Sequence, residues 1–185
     1  MADPNAIATR RTKLEGHADR RPNVTLSVAP PASRLSLRAP GLSVNSVSRA
    51  LGVTLPQQPK TSAHAKTGSR AALWLGPDEW LVIDEAGADL PGAVAAAKAL
   101  HSAVDISHRN VAILVDGPGA ETCLSAGCPQ DLSAAAFPVG ACSRTVLGKI
   151  EVVLWRTGED ANRVEVWRSF SEYAWDFLTE AARDV

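Results

Sequence analysis

"VDISHRNVAILVDGPGA", residues 104–120, sets Asp105, Ser107, His108 and Arg109 close together and then runs through an apolar strand into a Gly-Pro-Gly turn. Such a stretch suits a catalytic centre, a phosphate loop or a boundary between structural halves, and the choice decides the fold. A Ser-His-Asp triad needs serine bonded to histidine and histidine bonded to the acid. Along a strand, neighbouring side chains point to opposite faces, so Asp105 and Ser107 share one face and His108 takes the other. That alternation argues against a local triad. Gly117-Pro118-Gly119 follows a strand and opens a helix, but Thr122 stands where a G-x-G-x-x-G pattern needs glycine, and Pro118 removes a backbone donor. Gly148-Lys149 fails as a Walker loop because Ser143 replaces the upstream glycine. The stretch reads as one strand ending near Ser107-His108 and a second beginning after Arg109.

Upstream, Val24–Val28 and Arg34–Arg38 alternate apolar and polar residues as half-buried strands do. Val44, Val47 and Leu51 recur at helical spacing before a Gly52 stop, and Leu55–Ser69 has the composition of a loop. Ala71–Leu75 and Trp80–Ile83 flank a Gly76-Pro77-Asp78 turn, and Asp89 is placed to cap a helix running toward His101. Downstream, a short helix stopped by Gly127 precedes strands at Cys142–Leu147, Ile150–Trp155 and Arg163–Trp167. Ser169-Phe170-Ser171-Glu172 then has the form of a capping box for a last helix. "LSLRAPG" and "AILVDGPG" share a strand and a Pro-Gly turn, displaced by about 78 residues (Pro40 to Pro118). This weak repeat predicts an α+β fold of two repeated βαββα-type halves, roughly 23–103 and 104–185, with helices packed on mainly antiparallel sheets. The polar residues 1–22 read as a flexible N-terminal arm.

Composition removes whole function classes. With 45% hydrophobic and 21% charged residues and a net charge of −1, the chain gives no electrostatic reason to expect nucleic acid as its main partner. No run reaches the ~20 apolar residues that span a bilayer. Three cysteines cannot all pair and the N-terminus carries no secretory pattern, which points to the cytoplasm. Cys123 and Cys128 lack metal-ligand spacing, and the four histidines are scattered. Catalytic, cofactor and metal residues are therefore all expected to be absent. The aromatic group Trp155, Trp167, Phe170, Tyr173, Trp175 and Phe177 is more informative: Trp167-Arg168 and Trp175 exceed what one helix face can bury, which predicts a binding surface near the C-terminus.

"WLGPDEWLVI" (74–83), the opening stretch, "GCPQDL" (127–132), "FPVGACSRTVLGKIEVVLWRTG" (137–158) and "VEVWRSFSEYAWDFLTEAA" (164–182) together resemble the gamma subunit of heterotetrameric sarcosine oxidase. More distantly, the arrangement is similar to the tetrahydrofolate-binding aminomethyltransferase fold. The resemblance implies an accessory chain partnered by alpha, beta and delta subunits, with NAD, tetrahydrofolate, FAD, FMN and zinc held in those subunits and no cofactor here. It implies an assembly that oxidises sarcosine to glycine and hydrogen peroxide, releasing formaldehyde or passing the methyl carbon to tetrahydrofolate. Asp105, His108, Arg109 and Arg168 are the candidates for subunit contacts or structural hydrogen bonds. The alternatives are a free-standing folate-binding or aminomethyltransferase-like protein, and a general protein-interaction domain.

Overall fold

The computed structural model describes residues 13–185. Two antiparallel sheets face each other, each covered on its outer side by helices. The chain runs β1 (Ala18–Arg20), β2 (Thr25–Val28), β3 (Ser33–Arg38), α1 (Val44–Leu51), β4 (Ser62–His64), β5 (Arg70–Gly76), β6 (Glu79–Asp84) and α2 (Leu90–Ala95). It continues through β7 (Ser102–Asp105), β8 (Asn110–Asp116), α3 (Ala120–Ser125), β9 (Cys142–Leu147), β10 (Ile150–Gly158), β11 (Ala161–Trp167) and α4 (Ser171–Ala181). One sheet has the order β4-β5-β6-β3-β7 and the other β9-β10-β11-β8-β2-β1.

The strand order explains the opening stretch. From β3 the chain makes a helix, a three-strand meander and a helix, and from β8 it does the same. The strand before each of these runs crosses to the other sheet: β2 lies beside β8, and β7 beside β3. Residues 104–120 are thus the crossing point, leaving the first sheet at Asp105 and entering the second at Asn110. The βαββα count falls short, because each run has three strands between its helices. The strand missed was β4, which lies in the expected loop Leu55–Ser69 and is only three residues long, too short for alternation to declare itself.

Alternation sorts the side chains into three apolar layers. Leu35, Leu37, Trp80 and Val82 face α1 and α2, where Val44, Val47 and Leu51 supply the inner stripe of α1. Burying each such aliphatic side chain contributes about 1.5–3 kcal/mol. Ile113, Val115, Leu154, Val164 and Val166 face α3 and α4 in the same way. Between the sheets lie Ala71, Leu73, Leu81, Ile83, Ile106, Val153 and Trp155. Gly52 ends α1 in the left-handed conformation at φ +66°, and Asp89 Oδ1 accepts the Gly92 N–H at 2.9 Å as the cap of α2.

Three further expectations change. Part of the arm is ordered: Leu14 is buried in the second sheet's core, and β1 pairs with β2, while residues 1–12 lie outside the described residues. Trp175 is also buried there, edge-on to His17 at 5.4 Å, so it is core and not surplus. The capping box does not form. Arg168–Phe170 make a 3-10 turn that delays α4 to Ser171, the Ser171 hydroxyl donates to the Arg168 carbonyl at 2.9 Å, and Glu172 pairs with Lys13.

Candidate functional site

All four candidate residues gather at one end of the sandwich, where β7 crosses to β8 and β11 ends. Asp105 closes β7, and its Oδ1 accepts the Ser107 N–H at 2.8 Å. Ser107 is buried and its hydroxyl serves the backbone of Arg34, accepting the Arg34 N–H at 2.8 Å and donating to the Arg34 carbonyl at 3.4 Å. With the Ile106 N–H donating to the same carbonyl at 2.9 Å, this welds the crossing segment to the start of β3. His108 and Arg109 then turn outward to solvent and Asn110 is buried as β8 begins. The triad is absent, though for a different reason than strand alternation: the segment is a turn after Asp105, and backbone groups already occupy Ser107.

The glycine turn is likewise structural. Gly117 has φ +117°, and a Cβ there would stand 2.5 Å from the Asn23 carbonyl oxygen. Gly119 donates its N–H to that oxygen at 2.8 Å. The turn therefore grips the chain entering β2, and its donor is spent on protein rather than on a phosphate.

Arg168 joins the cluster through its backbone, whose N–H donates to the Arg109 carbonyl at 2.6 Å. The Arg109 guanidinium lies 4.9 Å from the centre of the Trp167 ring, and Trp167 stacks on Phe170 at 6.0 Å. Both rings are about two-fifths exposed (40% and 42%), a surface use of tryptophan and arginine that matches contact-forming residues. Among the described residues, the Arg168 guanidinium has no hydrogen-bond or ion-pair partner. Arg168 is exposed and is one of the residues lining a recess of about 40 Å³, with Arg34, His108, Pro30 and Pro31.

Behind this corner a chain of charges crosses between the sheets. Arg34 Nε donates to Glu165 Oε2 at 2.6 Å, Arg163 Nε to Glu165 Oε1 at 2.9 Å, and Arg163 Nη1 to Glu85 Oε1 at 2.7 Å. Arg34, Arg163 and Glu165 are buried, whereas the Glu85 side chain is 56% exposed. A cleft of about 250 Å³ between the sheets is lined by Glu79, Arg109, Arg144, Val153, Glu165 and Trp167. Its Glu79–Arg144 pair also joins the two sheets, and the hydrogen bond from Arg144, with help from Arg38, holds the Glu79 carboxyl below the ordinary range. Sequence reasoning missed Arg34 and Glu165. The available signal was Arg163-x-Glu165-x-Trp167, which places two opposite charges on the same face of an otherwise apolar strand.

Two of the three thiols are equally quiet: burial pushes Cys123 up to about 11 and Cys142 to about 12, far from a reactive thiolate. Among the described residues, no group of three or more His, Cys, Asp or Glu side chains could hold a metal ion, and no helix is long and apolar enough to cross a membrane.

This chain matches the family model for the sarcosine oxidase gamma subunit over residues 38–184. The sarcosine oxidase subunit gamma of an Arthrobacter species is 38% identical over 154 residues, covering 81% of this chain and 75% of the relative. Its counterpart in Corynebacterium sp. strain P-1 is 37% identical over 137 residues, covering 73% and 67%. Among solved structures, a chain of heterotetrameric sarcosine oxidase from Corynebacterium sp. U-96, in complex with pyrrole 2-carboxylate, matches with a TM-score of 0.81. It is 33% identical, over 87% of this chain and 84% of that one. Glycine cleavage system aminomethyltransferase T from Bartonella henselae matches with a TM-score of 0.62 at 14% identity, over 89% of this chain and 50% of that one, a likeness of fold alone. The family match takes in α1 through α4 and with them the crossing turn, the Trp167–Phe170 corner and most of both sheets, so this chain belongs to the sarcosine oxidase gamma subunit family.

Proposed function

We propose that this chain is the accessory gamma subunit of a cytoplasmic heterotetrameric sarcosine oxidase, assembled with alpha, beta and delta subunits and inactive by itself. The observation that carries this is the match along both sheets to a chain of a heterotetrameric sarcosine oxidase. The assembly converts sarcosine, oxygen and water to glycine, formaldehyde and hydrogen peroxide, or transfers the methyl carbon to tetrahydrofolate. NAD, FAD, FMN, zinc and the folate then belong to the partner subunits. The chemistry of the candidate corner supports a structural part: Ser107 and Asp105 serve backbone groups, and Asp105 shares the exposed surface with arginine, histidine and aromatic rings. The equal strand orders around β3 and β8 favour reading the two halves as a duplicated unit.

Co-expression with the three partner subunits tests the proposal. A stoichiometric complex oxidising sarcosine is expected, with no activity from this chain alone. Oxidation by the isolated chain, or its absence from an active purified enzyme, would refute it. Micromolar binding of a reduced folate to the isolated chain in calorimetry would favour a free-standing folate-binding protein instead.

A further inference from the structure

Arg168 is the cation of the sandwich end whose charge nothing in the described residues offsets. Arg34 beside it is neutralised by Glu165, and Arg109 is held by Trp167 and by Asn110 Oδ1 at 3.2 Å. The recess between them has three cationic or protonatable lining residues, Arg34, His108 and Arg168, and no acidic one. Its volume of about 40 Å³ compares with the roughly 10–15 Å³ that admits one water, so it takes about three heavy atoms. A carboxylate has that number, whereas a pterin or flavin ring is far too large.

The walls are preformed. Pro30 and Pro31 form one side, the Ala29 N–H donates to the Ala112 carbonyl at 3.0 Å, and the Arg168 backbone is tied to Arg109. The backbone around the recess is therefore fixed before binding, and the exposed Arg168 side chain is the part left to order. Flanking Arg168 in the chain are Trp167 and Phe170, whose stacked, exposed rings form an apolar step that a partner surface would cover.

We infer that the Arg168 recess, with the Trp167–Phe170 step beside it, is the socket by which this chain docks an Asp or Glu side chain of a partner subunit in the assembly. The inference rests on the proposed function for the existence of that partner. The occupant follows from charge complementarity: a guanidinium fork without a counter-ion, in a recess of carboxylate size, pairs best with a planar carboxylate once water is excluded.

The test uses the full chain co-expressed with alpha, beta and delta subunits, as wild type, Arg168→Glu, Arg168→Gln, Trp167→Ala and Arg49→Glu. Arg49 is an exposed arginine on α1, on the outer side of the other sheet, and serves as a charge control. Native mass spectrometry reads subunit occupancy, titration of purified partners reads Kd, and circular dichroism confirms the fold of each variant. Arg49→Glu should assemble like wild type. Arg168→Glu should weaken assembly at least about thirtyfold, with Arg168→Gln and Trp167→Ala each about tenfold weaker, in the range seen on removing one member of a buried charge pair or a hot-spot ring. Folded Arg168→Glu and Trp167→Ala chains that assemble within threefold of wild type would overturn the socket and leave the proposed function standing. A wild-type chain that fails to assemble would overturn both.

Discussion

Glu165→Gln should be among the most damaging single substitutions in this chain that leave side-chain volume nearly unchanged. Glu165 is 1% exposed and answers two buried guanidinium groups, Arg34 at 2.6 Å and Arg163 at 2.9 Å. The amide keeps one acceptor, so one arginine loses its partner and both lose the opposing charge inside the sandwich. Breaking a buried pair by removing one member costs about 3–5 kcal/mol. Part of this is offset, because Arg163 retains Glu85 and Arg34 retains the Ala32 carbonyl at 3.1 Å. A loss of about 3 kcal/mol is therefore the expectation, a large share of the 5–15 kcal/mol typical of a domain. For a chain of this size it corresponds to a fall in Tm of about 6–12 °C. Urea unfolding and calorimetry on the isolated chain measure it, with Glu85→Gln as the internal comparison. Glu85 is at the solvent-exposed end of the same chain of charges, where a pair is worth about 0–1 kcal/mol. A Glu165→Gln loss below 1 kcal/mol, or one no larger than that of Glu85→Gln, would refute the claim that buried charge joins the two sheets.

Gly117→Ala should destabilise the chain by more than 1 kcal/mol, because the new Cβ meets the Asn23 carbonyl oxygen at 2.5 Å on a backbone held at φ +117°. Denaturant unfolding gives the value, and an unchanged midpoint would show that the turn has slack. In a thiol-reagent assay at pH 8, Cys123 and Cys142 should stay unreacted in the folded protein and react once it is unfolded, since burial holds them up at about 11 and about 12. Peptide mapping after alkylation identifies the modified positions, and rapid labelling of Cys142 in the native state would contradict its buried contacts with the Thr61 and Trp74 carbonyls.

Regular local signals were legible in the sequence. Alternation placed β2 and β3 and apolar runs beside turn residues placed β5, β6 and β8 to within a few residues, while Gly52 marked the end of α1 and Asp89 the start of α2. What escaped depended on distant partners. A three-residue strand such as β4 exists because β5 is beside it, and Leu14 is ordered because the core of the second sheet receives it. The capping box failed on the same ground: Ser169 and Glu172 had the right spacing, but the corner at Trp167–Phe170 used those residues for a tighter turn and Glu172 for Lys13. The four candidate residues lie together at one end of the sandwich, and the reason they cluster, the crossing of β7 and β2 between sheets, is a property of strand order that no local pattern encodes.

That crossing also explains why polar residues are concentrated at residues 104–110. A segment leaving one sheet for the other forfeits its ladder hydrogen bonds on both sides, and buried backbone groups must find substitutes. Asp105 and Ser107 supply them to the neighbouring backbone at 2.8 Å each. His108 and Arg109 are exposed on the turn that makes the crossing. The lettering of an active site thus arises from the chemistry of a strand exchange, and the same turn that engages its hydroxyl and carboxylate presents Arg109 at the surface against Trp167.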